Sequence, residues 1–174
     1  MPIIRIKSNR GGDYYLDDNG GILPNSKYTS DLIIASGNIS NWFAQYGVAP
    51  LAKAINKSEF WLNQIEQIHV CNDHGIELVP RIGDHIIFIG YLPMKKNKAA
   101  NEKSIAEFVE KKLARIEKFY RYGLSQAGWN KYSYINVEFD NQIICKKKTN
   151  EDRQAELLKQ QKTEEEVSTT EVTE

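Results

Sequence analysis

The chain has few of the features that would point directly to a class of function. It has only two cysteines in 174 residues, so it cannot depend on a disulfide framework. Both lie in predicted strands, where a buried free thiol is the typical state, and one disulfide is the alternative. No apolar run is long enough to span a bilayer, and no signal peptide is evident. Because Met1 is followed at once by a strand-like run, we expect a fragment of a longer protein.

Motifs of catalysis are also missing. The sequence contains no G-x-S-x-G elbow, no H-E-x-x-H and no glycine loop that could hold a phosphate. A catalytic site needs a constellation of groups, so we predict a protein that is not an enzyme and needs no cofactor. Residues 1–149 hold 20 basic and 15 acidic residues, an excess too small for a nucleic-acid surface.

One short motif has the residue types of a metal site. His69, Cys71 and His74 form H-x-C-x-x-H. A strand places His69 and Cys71 on the same face, but His74 falls in the following turn and no fourth ligand is evident. We favour a solvated strand and turn over a metal centre.

The patterns that are present predict an α+β fold, a largely antiparallel β-sheet with helices packed on one side. Apolar stripes predict helices from Pro50 to about Asn63 and from Ser104 to Tyr122, the second opening with a capping box. A separate short helix beginning at Ser58-Glu59 is the alternative for the end of the first. The run Asp31–Gly37 does not alternate, which indicates burial on both faces. The remaining strands are predicted at Ile3–Lys7, Tyr14–Leu16, Ile22–Pro24, Gln64–Cys71, Ile76–Pro80 and His85–Gly90.

The last folded segment is predicted to be a tight hairpin. Ile135, Val137 and Phe139 alternate along its first arm, and Asp140-Asn141 forms a two-residue turn. The second arm, Gln142–Lys148, is then the last strand and can have an open edge that pairs with another protein. Lys146, Lys147 and Lys148 either keep this edge from aggregating or attract an acidic partner.

The end of the chain has a different composition. From residue 150 onward there are eight acids and three bases with little apolar area, so we predict a disordered acidic tail. The predicted domains are residues 1–7, a junction strand, residues 8–149, the folded body, and residues 150–174, the tail.

Several ordered motifs together resemble a known family. Pro2-Ile3-Ile4-Arg5-Ile6, Tyr14-Tyr15-Leu16-Asp17 and Gly21-Ile22-Leu23-Pro24 are similar to the junction between the POTRA and β domains of the bacterial cell-division protein FtsQ (DivIB). Tyr134-Ile135-Asn136-Val137-Glu138-Phe139 resembles that family's Tyr-Ile-Asp-Leu-Arg-Tyr strand. The variant is most similar to those of the Bacteroidetes group. Residues 1–7 would then be the end of the POTRA domain, and residues 8–149 the β domain.

The resemblance implies a non-enzymatic divisome scaffold. Its parent would be a single-pass inner-membrane protein at the septum, anchored by an N-terminal helix absent from this fragment, with this domain in the periplasm. It would bind FtsB/DivIC-like and FtsL-like coiled-coil proteins and help control septal peptidoglycan synthesis. The partner-binding residues carried over by position are Tyr134, Asn136, Glu138, Gln142, Ile143, Ile144, Cys145, Lys146, Lys147 and Lys148. A periplasmic cell-wall hydrolase or cell-wall-binding domain is the alternative, and it would require a deep pocket.

Overall fold

The structure, a computed structural model, describes residues 1–7, 12–23, 31–124 and 131–147, together with Leu158 and Gln161. Its described strands form one sheet of nine, in the order β3-β2-β1-β4-β5-β6-β7-β8-β9. The strands are β1 (Pro2–Ile6), β2 (Tyr14–Asp17), β3 (Ile22–Leu23), β4 (Ile33–Gly37), β5 (Ile65–Val70), β6 (Ile76–Pro80), β7 (Ile86–Gly90), β8 (Tyr132–Asn136) and β9 (Ile144–Lys147).

Most neighbouring strands are antiparallel, as predicted. The exceptions are the pairs β1–β4, β4–β5 and β7–β8, which are parallel. The β2–β3 hairpin and the β5–β6–β7 meander follow the turn signals of the sequence. The α+β architecture is therefore confirmed.

The helices lie in two segments of the chain. The first runs through α1 (Asn41–Phe43), a π-helical turn (Ala44–Val48) and α2 (Ala49–Lys57). The second is α3 (Lys98–Phe119), which continues into a π-helical segment (Tyr120–Leu124). Within the described ranges, no helix combines the length and hydropathy needed to cross a bilayer.

One face of the sheet packs against the helices through a row of side chains in register. The row starts at Ile6 and crosses the sheet to the half-buried Cys145 on β9. Its buried apolar members share one core with the buried stripe of α3, which consists of Ile105, Val109, Leu113 and Ile116. Between Ile6 and Cys145, the row consists of Ala35, Ile68, Leu78, Ile87 and Ile135, all fully buried.

β4 differs from its prediction. Ile33 and Ala35 are buried, but Ile34 and Ser36 between them are only half-buried. The strand is therefore covered on one face, because α2 and α3 both contribute to the same core.

The long helix begins earlier than predicted, while α2 begins at Ala49 with Pro50 in its first turn, as predicted, after an α1 and π-helical segment that was not predicted. The α3 N-cap is Asn97, whose side chain accepts a bond from the Ala100 N–H at 3.0 Å, so the capping-box signal at Ser104 lies inside the helix. The first helical segment begins at Asn41 and ends at Lys57, with Ser40 accepting from the Phe43 N–H.

Pro50 lies in the first turn of α2, directly after the π-helical turn. Proline has no N–H to offer the carbonyl of Tyr46, four residues back. Asn101, 2% exposed on α3, donates its side-chain N–H to that carbonyl oxygen at 2.8 Å. Its side-chain oxygen accepts the Lys95 N–H at 2.8 Å, so the buried amide is bonded at both ends.

Candidate partner-binding strand

The last strand, β9, lies at one end of the sheet. Among the described residues, it pairs only with β8, in antiparallel register, with Asn136 opposite Ile144 and Ile135 opposite Cys145. The prediction that this segment is an edge strand therefore agrees with the described part of the chain. The row of backbone groups on its other side faces away from the sheet.

The register shows which backbone groups face outward. The Val137 N–H donates to the Phe88 carbonyl at 2.9 Å, so the backbone of Ile135 and Val137 faces β7 and that of Asn136 faces β9. Asn136 and Ile144 consequently form a hydrogen-bonded pair.

It follows that Cys145 and Lys147 direct their N–H and C=O groups away from β8. The hydroxyl of Ser133 lies 3.4 Å from the Lys146 carbonyl oxygen, to which it donates, as expected if Lys146 faces β8.

The side chains of β9 divide between the two faces of the sheet. Ile143, just before the strand, and Cys145 pack against the core on the helix side. Burial raises the pKa of the Cys145 thiol. Ile144 points to the opposite face and is 47% exposed, and Lys146 and Lys147 are exposed. Two of the apolar residues of this segment, Ile143 and Cys145, therefore belong to the core of the domain. The third, Ile144, is exposed.

The connection between β8 and β9 is not the two-residue turn that was predicted. It contains seven residues, 137–143. Val137 is fully buried, but Phe139 is 43% exposed, so the expected alternation stops after Val137. Asp140 and Asn141 lie in the turn, within a wider loop held by α3.

Two basic residues of α3 bind the carbonyl groups of this loop. The Lys112 ammonium donates to the carbonyl oxygens of Val137 at 2.9 Å and Glu138 at 2.6 Å. The Arg115 guanidinium donates to the carbonyl oxygens of Val137, Phe139 and Gln142. A two-residue turn could not present these carbonyls to the helix, which accounts for the wider loop.

The charges of this contact also influence one another. Lys112 is only 3% exposed, and its burial lowers the pKa of the ammonium, which nearby Asp140 partly offsets. Lys111 lies 3.2 Å from the Asp140 carboxylate and Lys112 3.8 Å. The hydrogen bond and charge of Lys111, followed by the charge of Lys112, lower the pKa of Asp140.

The remaining sites proposed on β8 already have contacts within the chain. Tyr134 donates its hydroxyl to Glu77 at 3.0 Å and stacks on Phe88. Asn136 accepts the Glu138 N–H at 2.8 Å through its side chain. Lys148, the last residue of the predicted strand, lies outside the described residues.

The sequence carries a signal for the buried position of Lys112. Lys112 follows Ile105 by seven residues and Val109 by three, which places it on the apolar stripe of the helix. A charged residue at that position needs buried acceptors. Nothing in the spacing indicated that those acceptors are carbonyls of a loop about 25 residues later in the chain.

A separate cleft lies at the carboxyl ends of β1, β4 and β5. Its volume is about 890 Å³, and its lining includes Lys7, Tyr14, Asn38, Ser40 and His69. Three strands, β6, β7 and β8, separate β5 from β9. The cleft therefore does not include the predicted partner-binding strand.

A one-sided α+β sheet with an edge strand is the type of domain that can accept a further strand from another chain. The model of a protein family described as FtsQ/DivIB, C-terminal related, matches residues 1–146. A search of curated proteins gives no match. The chain belongs to this FtsQ/DivIB-related family, a family of non-catalytic divisome scaffolds, which confirms the resemblance and supports a role in bacterial cell division.

Proposed function

We propose that this chain is the periplasmic domain of an FtsQ-like division scaffold that binds FtsB/DivIC-like and FtsL-like proteins through β9. It has no catalytic step of its own and helps control septal peptidoglycan synthesis. Its parent is held in the inner membrane at the septum by an N-terminal helix. Family membership supports this proposal through the shared link to the divisome.

The observation that carries the proposal is the outer edge of β9. Within the described chain this strand pairs only with β8, and Cys145 and Lys147 turn their backbone groups outward. A strand from a partner can bond to these groups as a tenth strand, in the manner of β-augmentation.

The side chains at this edge favour a partner of a particular composition. Ile144 offers exposed apolar area on the face opposite the helices. Lys146 and Lys147 supply two exposed positive charges. A strand that carries an apolar residue opposite Ile144 and acids near the lysines would be complementary to β9.

A proline in β9 removes either a hydrogen bond to β8 or an outward N–H, depending on the residue that it replaces. Ile144 faces Asn136, so Ile144→Pro would remove a bond within the sheet and destabilise the fold. Cys145→Pro removes an outward N–H and leaves the β8 ladder in place, since edge strands tolerate proline there. Cys145→Ser retains the N–H and is the matched control.

The test is the affinity of the FtsB- or DivIC-like protein from the same organism, measured by titration calorimetry. The Cys145→Pro variant loses one backbone hydrogen bond to the partner strand and the close packing around that bond. Its affinity for the partner should therefore be lower by about tenfold or more. Cys145→Ser should bind within about threefold of the native chain. A folded Cys145→Pro chain with native affinity would rule out strand addition at β9.

A second variant covers the case in which Cys145→Pro does not fold. Ile144→Asp places a charge on an exposed position, so the thermal midpoint should change little. It should weaken binding because the apolar contact is lost and a carboxylate opposes an acidic partner. Native affinity for this folded variant would also contradict the proposal.

A further inference from the structure

Three side chains of different chemistry meet on the sheet face opposite the helices. His69 lies on β5 directly across from Glu77 on β6, and Cys71 follows β5 by one residue. The ligand atoms of the three lie within 4.8 Å of one another. His69 Nδ1 is 2.9 Å from Glu77 Oε1 and 4.0 Å from Cys71 Sγ.

These atoms form a donor set that suits zinc. Imidazole nitrogen, thiolate sulfur and carboxylate oxygen are the three ligand types that zinc takes in proteins. Zinc–ligand distances of about 2.0–2.3 Å at tetrahedral angles separate ligand atoms by about 3.3–3.8 Å. The separations of 2.9 and 4.0 Å lie on either side of this range, and all three ligand atoms lie within 4.8 Å of one another, so side-chain rotations are needed to bring them to one ion.

The surroundings hold the ligands in place. Tyr134 donates its hydroxyl to Glu77 Oε2 at 3.0 Å, which leaves Oε1 directed toward His69. The Tyr134 ring stacks on Phe88 of the neighbouring strand at 6.4 Å between ring centroids. Hydrogen bonds of this kind from a second layer of residues orient carboxylate ligands in metal sites.

The turn after β5 holds the backbone of Cys71 in place. The Cys71 N–H donates to the Gly75 carbonyl at 2.9 Å, and the His74 N–H donates to the Cys71 carbonyl at 3.0 Å. His74 therefore contributes its backbone to the turn. The third candidate metal ligand beside His69 and Cys71 is Glu77, and not His74 as the H-x-C-x-x-H spacing suggests. The His69 side chain is 46% exposed, so an ion can reach the cluster from solvent.

We propose that His69, Cys71 and Glu77 bind one zinc ion, with water as the fourth ligand. The ion would connect β5 and β6 across the face opposite the helices. Its binding is independent of strand addition at β9, so either proposal can fail alone.

The first test is cobalt substitution in the untagged chain, reduced and stripped of metal. Tetrahedral Co²⁺ with a thiolate ligand gives a sulfur-to-metal charge-transfer band and strong visible d–d bands. We expect both bands to saturate at one Co²⁺ per chain and to be displaced by one equivalent of Zn²⁺. No saturable band, or uptake of several ions without saturation, would overturn the proposal.

Single substitutions then identify the ligands. Cys71→Ser should abolish the charge-transfer band, and His69→Ala and Glu77→Gln should weaken Zn²⁺ binding tenfold or more. Cys145→Ser and His74→Ala are the matched controls and should retain native affinity and spectra. A band that survives in Cys71→Ser, or that disappears in Cys145→Ser, would place the metal elsewhere.

Tyr134→Phe separates metal binding from a plain His69–Glu77 hydrogen bond. Loss of the hydroxyl should weaken Zn²⁺ affinity about tenfold while the chain stays folded by circular dichroism. Zinc should also raise the thermal midpoint of the native chain and not that of Cys71→Ser. Equal midpoints with and without zinc in the native chain would show that the cluster is only a hydrogen-bonded group of side chains.

Discussion

The ammonium of Lys112 donates to the carbonyl oxygen of Val137 at 2.9 Å, across 25 positions of sequence. The contact joins the middle of α3 to the loop that leads into β9. Arg115 donates to the same carbonyl, so two side chains of α3 hold the start of the loop. The position of the proposed docking strand therefore depends on α3 as well as on its pairing with β8.

Replacing Lys112 by methionine should destabilise the chain. Methionine keeps the apolar stem but leaves the Glu138 carbonyl without its donor and removes one of two donors from Val137. We expect a loss of about 2–3 kcal/mol in the free energy of unfolding, measured by urea titration. Lys103→Met on the exposed face of α3 is the control and should change stability by less than about 0.5 kcal/mol. Equal small effects for the two variants would show that the buried bonds contribute little.

Asn101→Leu should also be destabilising, by about 2–3 kcal/mol, because the Tyr46 carbonyl and the Lys95 N–H both lose their partner. In a Pro50→Ala background, residue 50 regains an N–H that can reach Tyr46. The cost of Asn101→Leu should then fall by about half, which a double-mutant cycle in urea would measure. Strict additivity would mean that Asn101 does not compensate for the proline.

Gly37 should not tolerate a side chain. Its φ is +107°, and a Cβ there would lie 2.1 Å from the Val70 carbonyl oxygen on the neighbouring strand. We expect Gly37→Ala to cost about 2–4 kcal/mol in thermal or urea unfolding. Gly12→Ala is the matched control, since a Cβ at Gly12 meets nothing within 4 Å, and it should be near neutral. A near-neutral Gly37→Ala would contradict the close approach of β4 and β5.

Asp140 should contribute a pH-dependent part of the stability. Lys111 and Lys112 lower its pKa in the folded state, so folding favours the ionised carboxylate. The contribution is complete above the ordinary pKa of an aspartate and disappears as the pH falls through the lowered folded value. Asp140→Asn should therefore be less stable than the native chain at pH 7 and equally stable at about pH 2. The same stability difference at both pH values would show that the effect is not electrostatic.

The sequence predicted the elements that local patterns control. The β5–β6–β7 meander and the buried stripe Ile105–Ile116 follow from alternation, turn residues and helical spacing. The edge position of β9 followed from its being the last strand-like segment. These features depend on residues that are close in sequence.

The features that were predicted wrongly depend on distant contacts. The Asp140-Asn141 corner has suitable residues for a two-residue turn, but Lys112 and Arg115 stabilise a wider one. Pro50 lies in the first turn of α2, as predicted, but the helical segment that precedes it and the bond from Asn101 to the Tyr46 carbonyl depend on distant contacts. The His69–Glu77 pair likewise required the β5–β6 register, which places residues eight apart opposite each other.

The short length of β9 limits the affinity with which a single partner strand can bind to it. Two residues facing outward provide at most four main-chain bonds, each contributing about 0.5–1.5 kcal/mol. Such a ladder contributes about 2–6 kcal/mol in all, which at best matches the lower end of the about 4–15 kcal/mol of freedom lost on association. A long-lived complex would therefore need the same partner to contact a second surface of this chain. The weak addition of a strand at β9 would then add to that affinity.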